Sequence, residues 1–178
     1  MNSSRHPMRR GNRGSVKLNG FTLVELMVAI TIMAILLAVA TPSFNDVLLG
    51  SKLSSYTNSF VASTTLARGE AIKRNDVVTL CVSINGTSCG AGTGGWEQGW
   101  IVLHGTTLIQ RQASIASGFK IIETGGLTTL TFQPTGVGAT QASLKVCRAT
   151  PTVGKQERVI SISATGRASI QKTTNSSC

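Results

Sequence analysis

Acidic side chains are the scarcest charged groups in this 178-residue chain: 7 Asp and Glu stand against 17 Lys and Arg, a formal charge of +10. Histidine occurs twice, and only His104 lies beyond the first twenty residues. Aromatics amount to 4%. These shortages weigh against catalysis. A Ser/His/Asp triad would have to use His104, which sits in an apolar alternating stretch with no partner in view. Metal binding fares no better, because the four cysteines form no C-x-x-C pair and have one histidine to join them. Gly90, Gly92 and Gly95 satisfy G-x-G-x-x-G, but no strand-to-helix unit surrounds them, so the match is a coincidence of a Gly-rich loop. Neither an enzyme nor a bound cofactor nor a metal is expected.

The basic excess is unevenly placed. Residues 1–20 hold Arg5, Arg9, Arg10, Arg13 and Lys17 and no acid, which is half of the formal charge. Short basic segments beside a membrane span stay in the cytoplasm. From Phe21 to Ala40 the chain is apolar except for one charge, Glu25. About twenty apolar residues suffice to span a bilayer. A cleaved secretory signal is the rival reading, with Ala38-Val39-Ala40 as its site before Thr41-Pro42. Its apolar core is usually only about 7–15 residues long, however, and has no use for a carboxylate. A charge inside a span costs roughly 2.5–3.5 kcal/mol on insertion scales, which marks Glu25 as a functional residue.

The stretch "GFTLVELMVAITIMAILLAVATP" resembles the leader and N-terminal helix of type IV pilins and type II secretion pseudopilins. The resemblance implies that a prepilin peptidase cuts between Gly20 and Phe21 and N-methylates Phe21. It also implies that Glu25 acts in assembly, meeting the N-terminal amine of a neighbouring subunit. Such an amine has a reference pKa of about 7.7–8.0, and Phe21 and Glu25 stand one helical turn apart. Simple snorkelling of Glu25 to the membrane interface is the alternative.

Past Pro42 the helical period continues through Phe44, Leu48, Tyr56 and Phe60, with Val47, Leu49, Leu53, Leu66 and Ala67 beside them and Ser, Thr and Asn opposite. Pro42 should bend the helix without ending it. Lys73, Arg74 and Asn75 supply a C-terminal signal. A helix from Phe21 to Arg74 would be about 80 Å long. The period then changes to two, giving candidate strands at 77–83, 99–104, 107–112, 119–123, 127–133, 143–148, 158–163 and 167–172. The expected fold is α+β and type IV pilin-like, a long N-terminal helix packed on antiparallel β-sheet. Its parts are a cleaved leader (1–20), a membrane-spanning helix half (21–41), a periplasmic helix half (42–75) and a β-rich globular domain (76–178).

Four cysteines outside the cytoplasm suggest disulfides, with three possible connectivities. The expected pairing is Cys81–Cys89, closing the loop "VSINGTS", and Cys147–Cys178, pinning the C-terminus. The region "LCVSINGTSCGAGTGGWEQGWIVL" and the later "VCRATPTVGKQERVISISATGRASIQ" resemble H-type minor pseudopilins and related FimT/FimU-like minor pilins. Trp96 and Trp100 are expected to be packing residues.

Two roles follow from this resemblance. One is a structural subunit that primes or caps a type IV pilus or type II secretion pseudopilus, anchored by a single pass in the bacterial inner membrane. Its partners would be other major and minor pilins or pseudopilins and the prepilin peptidase. The other is a pilus-tip subunit binding double-stranded DNA without sequence specificity during natural transformation. Related DNA-binding pilins carry G-R-x-R, but here Gly166-Arg167-Ala168-Ser169 lacks the second arginine. Arg167, Lys172, Arg158, Arg148 and Lys155 are the candidate contacts.

Overall fold

The structure, a computed structural model, describes residues 20–178 other than 91, 93, 138 and 176, and only the backbone of 39–43. The leader, apart from Gly20, lies outside the described residues. One helix, α1, runs Leu23–Arg74 and includes Pro42. The chain forms two compact units, 1–42 and 43–178.

In the first unit α1 has no polar side. Leu23, Val24, Leu26, Met27, Val28 and Ile30 are all more than half exposed, and the pattern continues to Leu37. A helix apolar all round needs an apolar surrounding, since no single stripe can bury it. Among the described residues no helix is long and apolar enough to cross a membrane. The described side chains of this unit end at residue 38, short of the apolar run's end at Ala40.

The second unit owes its core to the rest of α1. Leu49, Leu53, Phe60, Ala67 and Ala71 are buried along one face at helical spacing. This core stripe begins at Leu49 and not at Phe44: Phe44, Val47 and Leu48 are exposed. Nor are all small polar residues opposite the core, as the sequence pattern implied. Thr57, Ser63 and Thr64 are buried, each donating its hydroxyl to the carbonyl four residues back, at 2.7, 3.1 and 3.0 Å. That bond satisfies the hydroxyl locally and permits burial without a distant partner. The helix ends on Asn75, with φ at 53°. The Asn75 and Asp76 amides donate to the Ile72 and Ala71 carbonyls, a Schellman closure.

All eight candidate strands form, with ends moved by two residues or fewer: β1 Val78–Val82, β2 Gly99–His104, β3 Thr107–Ala113, β4 Phe119–Glu123, β5 Thr129–Phe132, β6 Ala142–Arg148, β7 Glu157–Ile162 and β8 Ala168–Thr173. They build two four-stranded antiparallel sheets, ordered β3-β2-β1-β5 and β4-β6-β7-β8. Each sheet turns its alternate apolar residues toward α1. Leu80, Val102 and Leu130 come from the first sheet, and Ile121, Val146 and Ile160 from the second. Phe60 is where the aromatics meet, its ring 5.2 Å from both Trp96 and Trp100 in edge-to-face contact.

Candidate functional site

Gly20 precedes the helix in an exposed, non-helical position, and a side chain there would meet nothing within 4 Å. Phe21 is 79% exposed. This junction is therefore sterically open to another protein. Immediately after it, Thr22 and Glu25 form a reciprocal cap. The Glu25 carboxylate accepts from the Thr22 amide at 2.9 Å and hydroxyl at 2.8 Å, and the Glu25 amide donates to the Thr22 hydroxyl at 3.2 Å. Two of the helix's orphan amides are thereby satisfied. An N-terminal carboxylate also complements the positive end of the helix dipole. Glu25 thus has a defined orientation at the start of an apolar helix.

The globular unit carries two staples. Cys81–Cys89 closes a loop whose interior is tied by Ser83 and Asn85: the Ser83 hydroxyl donates to the Ser88 carbonyl at 2.7 Å, and the Asn85 side chain accepts from the Thr87 and Ser88 amides. Trp96 and Trp100 follow, each 1% exposed. Their indole nitrogens donate to the Leu127 carbonyl and the Ser63 hydroxyl at 2.8 and 2.9 Å. Both tryptophans pack; neither offers a stacking platform.

The second staple, Cys147–Cys178, joins β6 to the C-terminus across 31 residues. Beside it Glu157 is 1% exposed and accepts from the Ser177 amide (2.6 Å), the Ser177 hydroxyl (3.3 Å) and the Thr173 hydroxyl (3.2 Å). Lys145 donates to the Ser177 carbonyl and hydroxyl. Ser177 and Cys178 are strapped back onto β6 and β7 by one covalent and several polar ties.

The basic residues do not form one surface. Arg167 is exposed at the β7–β8 turn, where Gly166 adopts φ 69° and the Gly166 amide bonds the Ser163 carbonyl. A side chain at Gly166 would meet Arg68 at 3.0 Å, and Arg68 itself donates to the Thr165 carbonyl at 2.7 Å. Lys172 lies at the other end of β8, opposite Arg158. Five residues of strand put it about 17 Å from Arg167. Arg158 is 6% exposed and donates to its neighbour's carbonyl at Glu157. Arg148 donates to the Thr152 carbonyl at 3.1 Å, and Lys155 is exposed. Of the candidate DNA contacts, Arg167 alone stands at the turn; the other four gather where α1 enters the unit.

Among the described residues, no group of three or more His, Cys, Asp or Glu is placed to hold a metal. His104 bonds Asp76 at 2.9 Å, and the Val77 amide followed by that imidazole holds the Asp76 carboxyl below its usual range. At Glu97 burial pushes the carboxyl up, but Lys120 at 2.6 Å and backbone donors outweigh it, leaving the net shift downward.

Residues 56–166 match the model of the family described as type II transport protein GspH, and residues 17–41 match the prokaryotic N-terminal methylation motif. The chain belongs to the GspH family. Its place is thus within the type IV pilin and pseudopilin superfamily. Two crystal structures of the Pseudomonas aeruginosa type IV minor pilin FimU share its fold, each with TM-score 0.53 and 20% identity. They cover 67% and 68% of this chain and 92% and 89% of their own. No curated protein matches it.

Two residues of this GspH-family chain were not singled out by the sequence. Thr22 is half of the Glu25 cap, and T-x-x-E ahead of an apolar run is a capping-box signature that the membrane reading of Glu25 overshadowed. Glu157 gave no signal, because a carboxylate beginning a strand reads as solvated until the C-terminus folds over it.

Proposed function

We propose that this protein is a minor subunit that primes or caps a type IV pilus or type II secretion pseudopilus. The observation that carries the reading is the junction at Gly20–Glu25: an open glycine, an exposed phenylalanine and a capped glutamate at the head of a helix apolar on every side. In this reading a prepilin peptidase cuts between Gly20 and Phe21 and methylates Phe21. Residues 21–41 then span the inner membrane, with residues 42–178 in the periplasm. The Thr22 cap holds the Glu25 carboxylate at the first turn, where the amine of another subunit can neutralise it. Such pairing removes two isolated charges from the lipid, each costly alone. The globular unit, closed by two disulfides, supplies contacts to other pilins or pseudopilins and no chemistry in this reading. A clean deletion strain scored together for piliation, exoprotein secretion and transformation tests this. Loss of pili or of secretion supports the reading, and full retention of both refutes it.

A second reading, contact with duplex DNA at a pilus tip, is favoured by one observation: Arg167 projects from a turn beside Arg68. Two guanidinium groups there would give salt-sensitive, sequence-independent binding through phosphates. Titration of residues 43–178 with duplex DNA at two salt concentrations decides it. Arg167→Gln should weaken binding and flatten the salt slope by about one unit. A wild-type unit that binds nothing at low salt eliminates this role.

A further inference from the structure

Five cations, Lys52, Arg148, Lys155, Arg158 and Lys172, surround the first turns of α1 inside the globular unit. Two grooves flank the helix there. One is lined by Lys52, Arg148 and Phe119, the other by Ser51, Ser54, Arg158 and Lys172. Lys155 lies between them, next to Gly154, which closes on Leu49, and Gln156, which donates to the Asp46 carbonyl at 3.3 Å. Gly50 admits this approach. A Cβ at Gly50 would stand 3.0 Å from the Gln156 side chain and 3.8 Å from the Arg158 Nη2.

Elsewhere among the described residues three basic side chains are ion-paired, Lys73 and Arg74 with Glu70 and Lys120 with Glu97, whereas Arg68, Arg111, Lys145 and Arg167 are spread over the surface and not gathered on one element. Among the described residues none of the five has a carboxylate within ion-pair distance. Asp46 is the one acid on either groove, and Glu157 is turned away and engaged with Ser177. Arg158 is the sharpest case. Arg158 is 6% exposed as a residue, and among the described residues its guanidinium bonds a neutral carbonyl, which leaves donors for an anion. Ser51 and Ser54 hydroxyls and the Lys172 ammonium share its groove.

We propose that this basic collar binds the phosphate headgroups of anionic lipids at the outer face of the inner membrane, holding the globular unit against the bilayer before assembly. The proposal rests on the reading of residues 21–41 as a membrane span. Gly50 follows Ala40 by only ten residues of chain, which can span at most about 35 Å, so the collar is within reach of the headgroup layer. A cation near an anionic surface contributes about a fivefold gain in affinity, and five act together here. A collar so placed is also compatible with insertion topology, which counts charges within about 15–20 residues of a span. Only Lys52 falls in that window; the other four arrive from residues 148–172 after translocation and folding. A filament interface would use the exposed apolar Phe44, Val47 and Leu48 of the same helix and has no need of unpaired cations.

The test is lysine acylation of the full mature protein in lipid nanodiscs, read by peptide mass spectrometry. Discs of neutral phosphatidylcholine are compared with discs that also contain phosphatidylglycerol. Labelling of Lys52, Lys155 and Lys172 should fall by about fivefold in the anionic discs, in line with the gain per cation. Labelling of Lys73 and Lys120 should not change. Arg158→Gln should restore labelling of the three, and the exposed pair Lys155→Gln/Lys172→Gln, read at Lys52, serves where Arg158→Gln fails to fold. Equal labelling in both discs overturns the proposal. Protection by duplex DNA in neutral discs without a lipid effect overturns it in favour of nucleic acid. A mature protein that enters neither disc refutes the membrane span itself, a separate outcome.

Discussion

The C-terminal strap makes a quantitative prediction about coupling. Cys147–Cys178 closes a loop of 31 residues, which the chain-entropy relation converts to about 3.5–4 kcal/mol of stability. Glu157 accepts three hydrogen bonds from Thr173 and Ser177, and bonds to a charged acceptor contribute roughly 1.5–3 kcal/mol each when buried. Ser177 is exposed, so water replaces part of what it loses, and Glu157→Ala should cost about 2–4 kcal/mol in total. The disulfide and the two Ser177 bonds hold the same segment, the one that follows β8. Once the disulfide is replaced by serines, the strap dissociates and Glu157 has little left to lose. The double variant should therefore be less destabilised than the sum of its parts by at least about 1 kcal/mol. Urea denaturation of residues 43–178, followed by tryptophan fluorescence, measures all four corners of the cycle. Additive effects would show that Glu157 stabilises something other than the strap, and the reasoning would fail.

Three further outcomes are expected. Glu25→Ala should insert into membranes at least as well as the wild type yet enter filaments poorly; Glu25→Gln keeps an acceptor for Thr22 but no charge, so normal incorporation of the glutamine variant would reduce Glu25 to a helix cap. Ser63→Ala leaves the buried Trp100 indole N–H unpaired and should cost about 1–3 kcal/mol in the same urea assay, with an unchanged midpoint contradicting the bond. The folded-state Glu97 carboxyl is held below the ordinary glutamate range, so its ion pair with Lys120 stabilises fully above that range and is lost as pH falls below it through the lower folded-state value; Glu97→Gln should flatten the acid limb of a stability-versus-pH curve, and an unaltered limb would contradict the assignment.

Much of the fold was legible because its signals are local. Period-two alternation located all eight strands, and Lys73-Arg74-Asn75 marked a Schellman ending. Of the three possible cysteine connectivities, the favoured one, a short loop and a strand-to-terminus link, is the one that forms. The division into two sheets was not legible. β5 pairs with β1 and β4 with β6, and alternation carries no information about partners distant in sequence. The helix core was misplaced at its start because Phe44 and Val47 are as apolar as Leu49, and periodicity cannot tell a core from an uncovered face. Helical Ser and Thr were assigned to solvent although a hydroxyl bonded to the preceding turn can be buried, as at Thr57 and Thr64. The basic residues suffered most. Composition places Arg158 and Arg167 nine residues apart in one hairpin, while the strand pairing sends them to opposite ends.

The central claim is that Gly20–Phe21 is a processing junction that yields an assembly-competent N-terminus. Mass spectrometry of the protein isolated from bacterial membranes reads it directly. The account predicts a mature chain beginning at Phe21 and carrying one added methyl group on its amine, with Gly20→Lys accumulating uncut precursor. A chain beginning at Thr41, or one still beginning at Met1, would contradict it.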